Sequence, residues 1–84
     1  MITEMIEIKE KLKKFILETT SVDENNINDQ TLIFTEGYFD SMGFVLLITF
    51  LEETFGIKTL DSDLVEENFE SIDAMSDFVL KKLN

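Results

Sequence analysis

Ser41 follows Asp40 and stands at the head of an apolar run, in the stretch "EGYFDSMGFVLLITFLEETFG" (Glu36–Gly56). A serine between an acid and a hydrophobic segment suggests a nucleophile, but the rest of the chain denies it a base. There is no histidine and no cysteine, and the nearest lysine in sequence after it is Lys58. Activation of a serine hydroxyl needs an adjacent general base or an oriented partner. The same gaps exclude histidine acid–base chemistry, thiol chemistry, disulfides and histidine- or cysteine-ligated zinc. The hydroxyl is therefore read as an acceptor that another enzyme modifies. Asp40 can cap the helix that starts here by accepting the free backbone N–H groups of its first turn. That leaves Ser41, at the first helical position, free to point outward. Ser71 has the pattern of a cap for its own helix, and Ser21, Ser62 and Ser76 lack the neighbouring turn, acid and apolar run.

The elements that position this serine follow from periodicity. Met5, Ile8, Leu12, Phe15 and Ile16 recur at helical spacing and predict a first helix over Thr3–Thr19, with Thr3 as N-cap. The polar stretch "TSVDENNINDQT" opens a long connection that runs to Phe39, with Val22, Ile27, Leu32, Phe34 and Phe39 pinning it to the core and a helical turn expected within Gln30–Thr35. A second helix begins at Asp40 or Ser41 and stops before Gly56, which suits the left-handed position after a helix, with Ile57 making the apolar contact beyond it. A short third helix is expected over Asp63–Asn68, capped by Asp61 or Ser62. Ser71 caps a fourth, whose buried stripe is Ile72, Met75, Val79 and Leu83. The fold class is all-α: a small, irregular antiparallel four-helix bundle with a short third helix and a long loop between helices 1 and 2. The 84 residues are expected to form a single domain.

The second helix is more apolar than one buried face requires. On a wheel of about 100° per residue, Phe44, Leu47, Ile48, Leu51 and Phe55 form the core stripe. Met42, Leu46, Thr49 and Glu53 fall opposite. Met42 and Leu46, beside Ser41 and ringed by Glu36, Asp40 and Glu53, make a candidate partner-docking patch; cover by the long loop is the alternative.

The formal net charge is −11, and between Phe15 and Ile57 there is no positive residue. That argues against nucleic acid and favours partners rich in Lys and Arg. The longest apolar run, Phe44–Leu51, is too short to span a bilayer. The acidic N-terminus lacks the plan of a signal peptide. A cytoplasmic monomer without membrane insertion is expected. Asp61 and Asp63 have a spacing suggestive of calcium ligands, but the glycine and later ligands of an EF-hand loop are missing.

Gly37-x-Phe39-Asp40-Ser41-Met42, the close of the second helix in "EETFGI" (Glu52–Ile57) and "ENFESIDAM" resemble the acyl carrier protein family over nearly the whole chain. The resemblance implies that Ser41 bears a 4′-phosphopantetheine arm derived from coenzyme A, and that Asp40 assists its recognition and attachment. It implies a phosphopantetheinyl transferase, which brings its own Mg²⁺, as one partner. An acyl- or aminoacyl-loading ligase and downstream transferases or synthases would be the others. The missing thiol would then arrive on the arm and hold cargo as a thioester. Apolar cargo would be expected to slip between the helices. Carriers of fatty-acid synthesis usually have acids where this chain has Gly43 and Leu46. Asp-Ser-Met-Gly is similar to D-alanyl and stand-alone aminoacyl or peptidyl carriers, although the late tryptophan of D-alanyl carriers is absent. A specialised stand-alone carrier is expected, in lipid, polyketide, peptide or related biosynthesis. An unmodified acidic interaction module is the alternative from another class.

Overall fold

The computed structural model describes residues 2–83. Four α-helices, α1 (Ile2–Thr20), α2 (Ser41–Phe55), α3 (Glu66–Phe69) and α4 (Ile72–Leu83), are joined by a long first connection, a second (56–65) that holds a 3-10 turn and a short third, with no strand among the described residues. The apolar stripe of α1 turns Ile8, Leu12 and Ile16 inward, where they are buried, and α1 packs against α4. Thr3 is not its N-cap, because the helix already includes Ile2. Its C-terminal end extends to Thr20, whose hydroxyl donates to the Ile16 carbonyl at 2.7 Å and accepts from Val22 N–H at 3.3 Å. Ser21 then takes the left-handed conformation, φ 58°, and its N–H closes on Leu17 O at 3.0 Å. A short polar side chain serves where glycine is commoner.

The long connection is tied down by its backbone as well as by its side chains. Asp29 O accepts from Asp73 N–H at 2.9 Å, and Ile33 N–H donates to Glu70 O at 3.0 Å, so the loop is stitched to the α3–α4 corner. Lys9 of α1 adds contacts to Asp73 at 2.8 Å and Asp29 at 3.4 Å; the Asp73 carboxylate raises the Lys9 pKa. Ile27 and Phe39 are buried as expected, but Leu32 is exposed and Ile33, fully buried, is the pin. A helical turn closes with Glu36 N–H on Leu32 O at 2.8 Å, so it runs one residue past the expected Gln30–Thr35. A 3-10 turn at Glu24–Asn26, capped by Asp23, precedes it.

Gly56 ends α2 at φ 69° with its N–H on Glu52 O, and Ile57 behind it is buried. The Glu52 carboxylate accepts from the N–H and hydroxyl of Thr59, at 3.0 and 2.8 Å, which hold its pKa down. The third helix is shorter and later than expected. Asp61 and Ser62 lie inside a separate 3-10 turn, Asp61–Asp63, and α3 starts only at Glu66. The cause is Asp63, whose carboxylate turns back to Leu60 N–H at 2.9 Å and pairs with Lys82.

Ser71 caps α4, accepting from Ala74 N–H at 3.1 Å. Ile72, Met75 and Val79 are buried, but Leu83 is exposed, while Ser76 and Phe78 join the core. The buried arc of α4 is wide because it packs against α1, α2 and α3; the Ser76 hydroxyl is satisfied by Asp73 O at 2.9 Å.

The eight Phe side chains form one connected array. Phe55 meets Phe50, which stacks on Phe15 at 4.3 Å; edge-on contacts then run through Phe39, Phe34, Phe44, Phe69 and Phe78. Such pairs add to area burial, which matters in a chain of this size with no disulfide.

The Lys82 ammonium and the Leu60 N–H hold the Asp63 pKa below its ordinary value. A carboxylate favoured in the folded state contributes its stability fully at neutral pH and loses it as pH falls through its folded pKa. The Tm deficit of Asp63→Asn relative to the parent should therefore be largest near pH 7 and shrink below about pH 3.8, the ordinary Asp range. Thermal melts of both proteins across that interval check it; a deficit independent of pH would contradict the assigned partners.

Candidate functional site

Gly37 makes the site's approach possible. Its φ of 80° lies where L side chains are strained. Its N–H closes a turn on Phe34 O at 3.1 Å, and the following N–H groups of Tyr38 and Phe39 both reach Ile33 O. Phe39 is thereby driven into the core against α2. It passes so close to Gly43 that a Cβ there would lie 3.2 Å from the Phe39 ring. Gly43 thus lets the end of the loop lie flat on the first turn of α2.

Asp40 is extended, at φ −106° and ψ −167°, and its side chain accepts from Gly43 N–H at 2.9 Å. Its carbonyl accepts from Phe44 N–H at 3.0 Å. The cap is therefore filled by aspartate, and Ser41 occupies the first helical position, exposed. Among the described residues its hydroxyl has no hydrogen-bond partner. Ser71 and Ser76 differ: both are buried and both hydroxyls are engaged.

Ser41 opens onto a groove of about 580 Å³ lined by Phe34, Phe39, Asp40, Phe44, Val45 and Glu66. A second, more polar crevice of about 340 Å³ lies on the other flank of the α2 start. Its walls include Thr19, Thr20, Tyr38, Met42 and Leu46. Met42 is 66% exposed and Leu46 46%, so the wheel is oriented as the sequence suggests and the loop leaves both uncovered. Glu36 and Glu53 are exposed as well. Glu53 stands seven residues after Leu46, two helical turns along the same face. The sequence reading omitted Val45, which is 58% exposed. Its position about 60° round the wheel from Met42 was the available signal. Asp63, considered above as a calcium ligand, is committed to Lys82 and Leu60 N–H. No grouping of acids able to hold a metal occurs among the described residues.

The arrangement presents an exposed serine hydroxyl at a helix start, flanked by apolar surface and acids. Comparison with known proteins gives the class: the model of the family described as "Phosphopantetheine attachment site" matches residues 10–79. An acyl carrier protein of Buchnera aphidicola subsp. Baizongia pistaciae (strain Bp) is 31% identical over 77 residues, covering 92% of this chain and 96% of the relative. The chain belongs to the acyl carrier protein family, as a non-catalytic carrier whose prosthetic group is 4′-phosphopantetheine. Among the described residues no helix is long and apolar enough to cross a membrane.

Proposed function

We propose that Ser41 carries the phosphopantetheine arm and that the chain ferries acyl or aminoacyl groups between biosynthetic enzymes. The observation that supports this best is the exposed, unpartnered hydroxyl at the first position of α2, with Asp40 already filling the cap. A phosphodiester formed there would sit at the positive end of the α2 dipole, a placement that favours its charge. When attached, the group supplies the thiol on which cargo is held as a thioester. The chain's own residues orient and present it. Asp40 fixes the start of α2 and hence the direction of Ser41, and its second carboxylate oxygen is left to meet a basic transferase. Tethering raises the cargo's effective concentration at each partner's site.

The partners are a phosphopantetheinyl transferase, a loading ligase, and downstream transferases or synthases. They would dock on Met42 and Leu46, with Val45 extending the apolar centre and Glu36, Asp40 and Glu53 as acidic rim. The acidic surface steers basic partners toward this face. The pathway is one of lipid, polyketide, peptide or related biosynthesis, in the cytoplasm.

Thioester carriage has a direct chemical test. Protein isolated from its native host should carry an arm whose cargo is released by neutral hydroxylamine as a hydroxamate, with the phosphodiester left in place. Intact mass before and after treatment reads both parts. Protein without any arm, or an adduct resistant to hydroxylamine, would overturn the proposal.

A further inference from the structure

We infer that the groove beside Ser41 holds an aminoacyl group and that Glu66 and Asp40 select that cargo by its free ammonium. This rests on Ser41 being the attachment point. The groove's lining is chemically one-sided. Phe34, Phe39, Phe44 and Val45 supply apolar and aromatic surface, and Asp40 and Glu66 supply two carboxylates. No lysine lines it, and neither acid has an ion-pair partner among the described residues. Aromatic faces and carboxylates both attract an ammonium. An aliphatic acyl chain would use the rings and leave the acids unused; a cargo ending in a carboxylate would be repelled by them. An aminoacyl group with an apolar or aromatic side chain uses both kinds of lining.

The groove is also closed inward. Phe44 meets Phe69 edge-on at 5.5 Å, Phe69 is wholly buried, and it meets Phe78 at 5.0 Å. Phe69 and Phe78 belong to the packed core, so the Phe44 wall of the groove backs onto filled space, cargo rests at the mouth and a long alkyl chain is not drawn between the helices. A compact cargo is the consequence. The crevice on the other flank shares Phe39 and Asp40 with the groove but has neither Phe34, Phe44, Glu66 nor Ser41 in its walls.

The test uses the full-length, isotope-labelled protein, loaded by a promiscuous transferase with arms in which an amide replaces the thioester. Three arms are compared: phenylalanyl, hydrocinnamoyl (the same group without its ammonium) and octanoyl. The readout is the change in backbone amide NMR shifts relative to the unloaded arm. The phenylalanyl arm should perturb Phe34, Phe44, Val45 and Glu66 about threefold more than hydrocinnamoyl, a modest factor because the carboxylates are solvated. Glu66→Gln should erase most of that difference, and so should raising the pH above about 8, where an α-amino group loses its charge. Equal perturbation by phenylalanyl and hydrocinnamoyl arms would overturn the inference. So would an octanoyl arm whose largest effects fall on Phe69 and Phe78. Arms that attach at Ser41 but do not discriminate defeat the groove alone; failure of every arm to attach at Ser41 defeats the proposed function and this inference together.

Discussion

Ser41→Ala should accept no arm at all under conditions in which the parent protein is fully modified, while its melting temperature moves by no more than about 3 °C. The two halves of that expectation have separate origins. Attachment needs an oxygen at position 41, and the other serines do not substitute for it: Ser71 and Ser76 are buried with their hydroxyls engaged, and Ser21 and Ser62 are exposed but stand outside the α2 start. Stability is spared because the Ser41 side chain is exposed and bonds to nothing among the described residues, and alanine is the better helix former. The cap itself stays, since Asp40 still accepts from Gly43 N–H. Intact mass after incubation with coenzyme A, Mg²⁺ and a promiscuous phosphopantetheinyl transferase measures the first half; a thermal melt measures the second. Modification of the alanine variant would move the arm elsewhere.

Leu46 and Leu47 are adjacent in sequence and should behave as opposites. Leu47 is fully buried and Leu46 is nearly half exposed. Leu47→Ala removes a packed side chain and leaves a cavity, at a cost of about 2–5 kcal/mol. A chain of this size has a total stability of roughly 4–13 kcal/mol, so the melting temperature should fall by about 10 °C or more. Leu46→Glu should melt near the parent. It should instead slow loading or onward transfer by the cognate enzymes by about tenfold, because an apolar interface centre contributes more than its rim. Melts of both variants test the orientation of α2, and transfer rates of Leu46→Glu test the docking face. If Leu46→Glu unfolds the protein, α2 is rotated relative to the description above. If it folds and every transfer rate is unchanged, docking occurs elsewhere.

Local chemistry made most of α2 legible. The Asp40 cap, the exposed Ser41 and the left-handed Gly56 depend on residues within one turn of themselves, and each lies where those residues dictate. Side-chain burial in the loop was harder to read. Leu32 and Ile33 are adjacent and equally apolar, and irregular backbone offers no period to say which one turns inward. Ile33 is chosen by a distant contact, its N–H on Glu70 O. The same holds for α3, which a capping pattern placed at Asp63. The Asp63 carboxylate is taken by Lys82, nineteen residues on, and the helix is deferred to Glu66. In α4 the helical period runs on to Leu83, but burial needs a neighbour as well as a period, and Leu83 is left exposed. Phe78 and Ser76 were missed for the converse reason: three helices surround α4, so its buried arc exceeds a single stripe. At the candidate site the serine, its cap and the apolar patch were visible in sequence. The groove was not, because Phe34, Phe44 and Glu66 meet only after the loop and α3 have folded against α2.

The central claim is that the arm is carried by Ser41, and peptide mapping of the wild-type protein tests it most directly. The apo protein is treated with coenzyme A, Mg²⁺ and a phosphopantetheinyl transferase, digested, and the modified residue located by tandem mass spectrometry. A single phosphopantetheinyl group on Ser41 is the expected result. Modification at Ser71 or any other residue, or none with several such transferases, would contradict it.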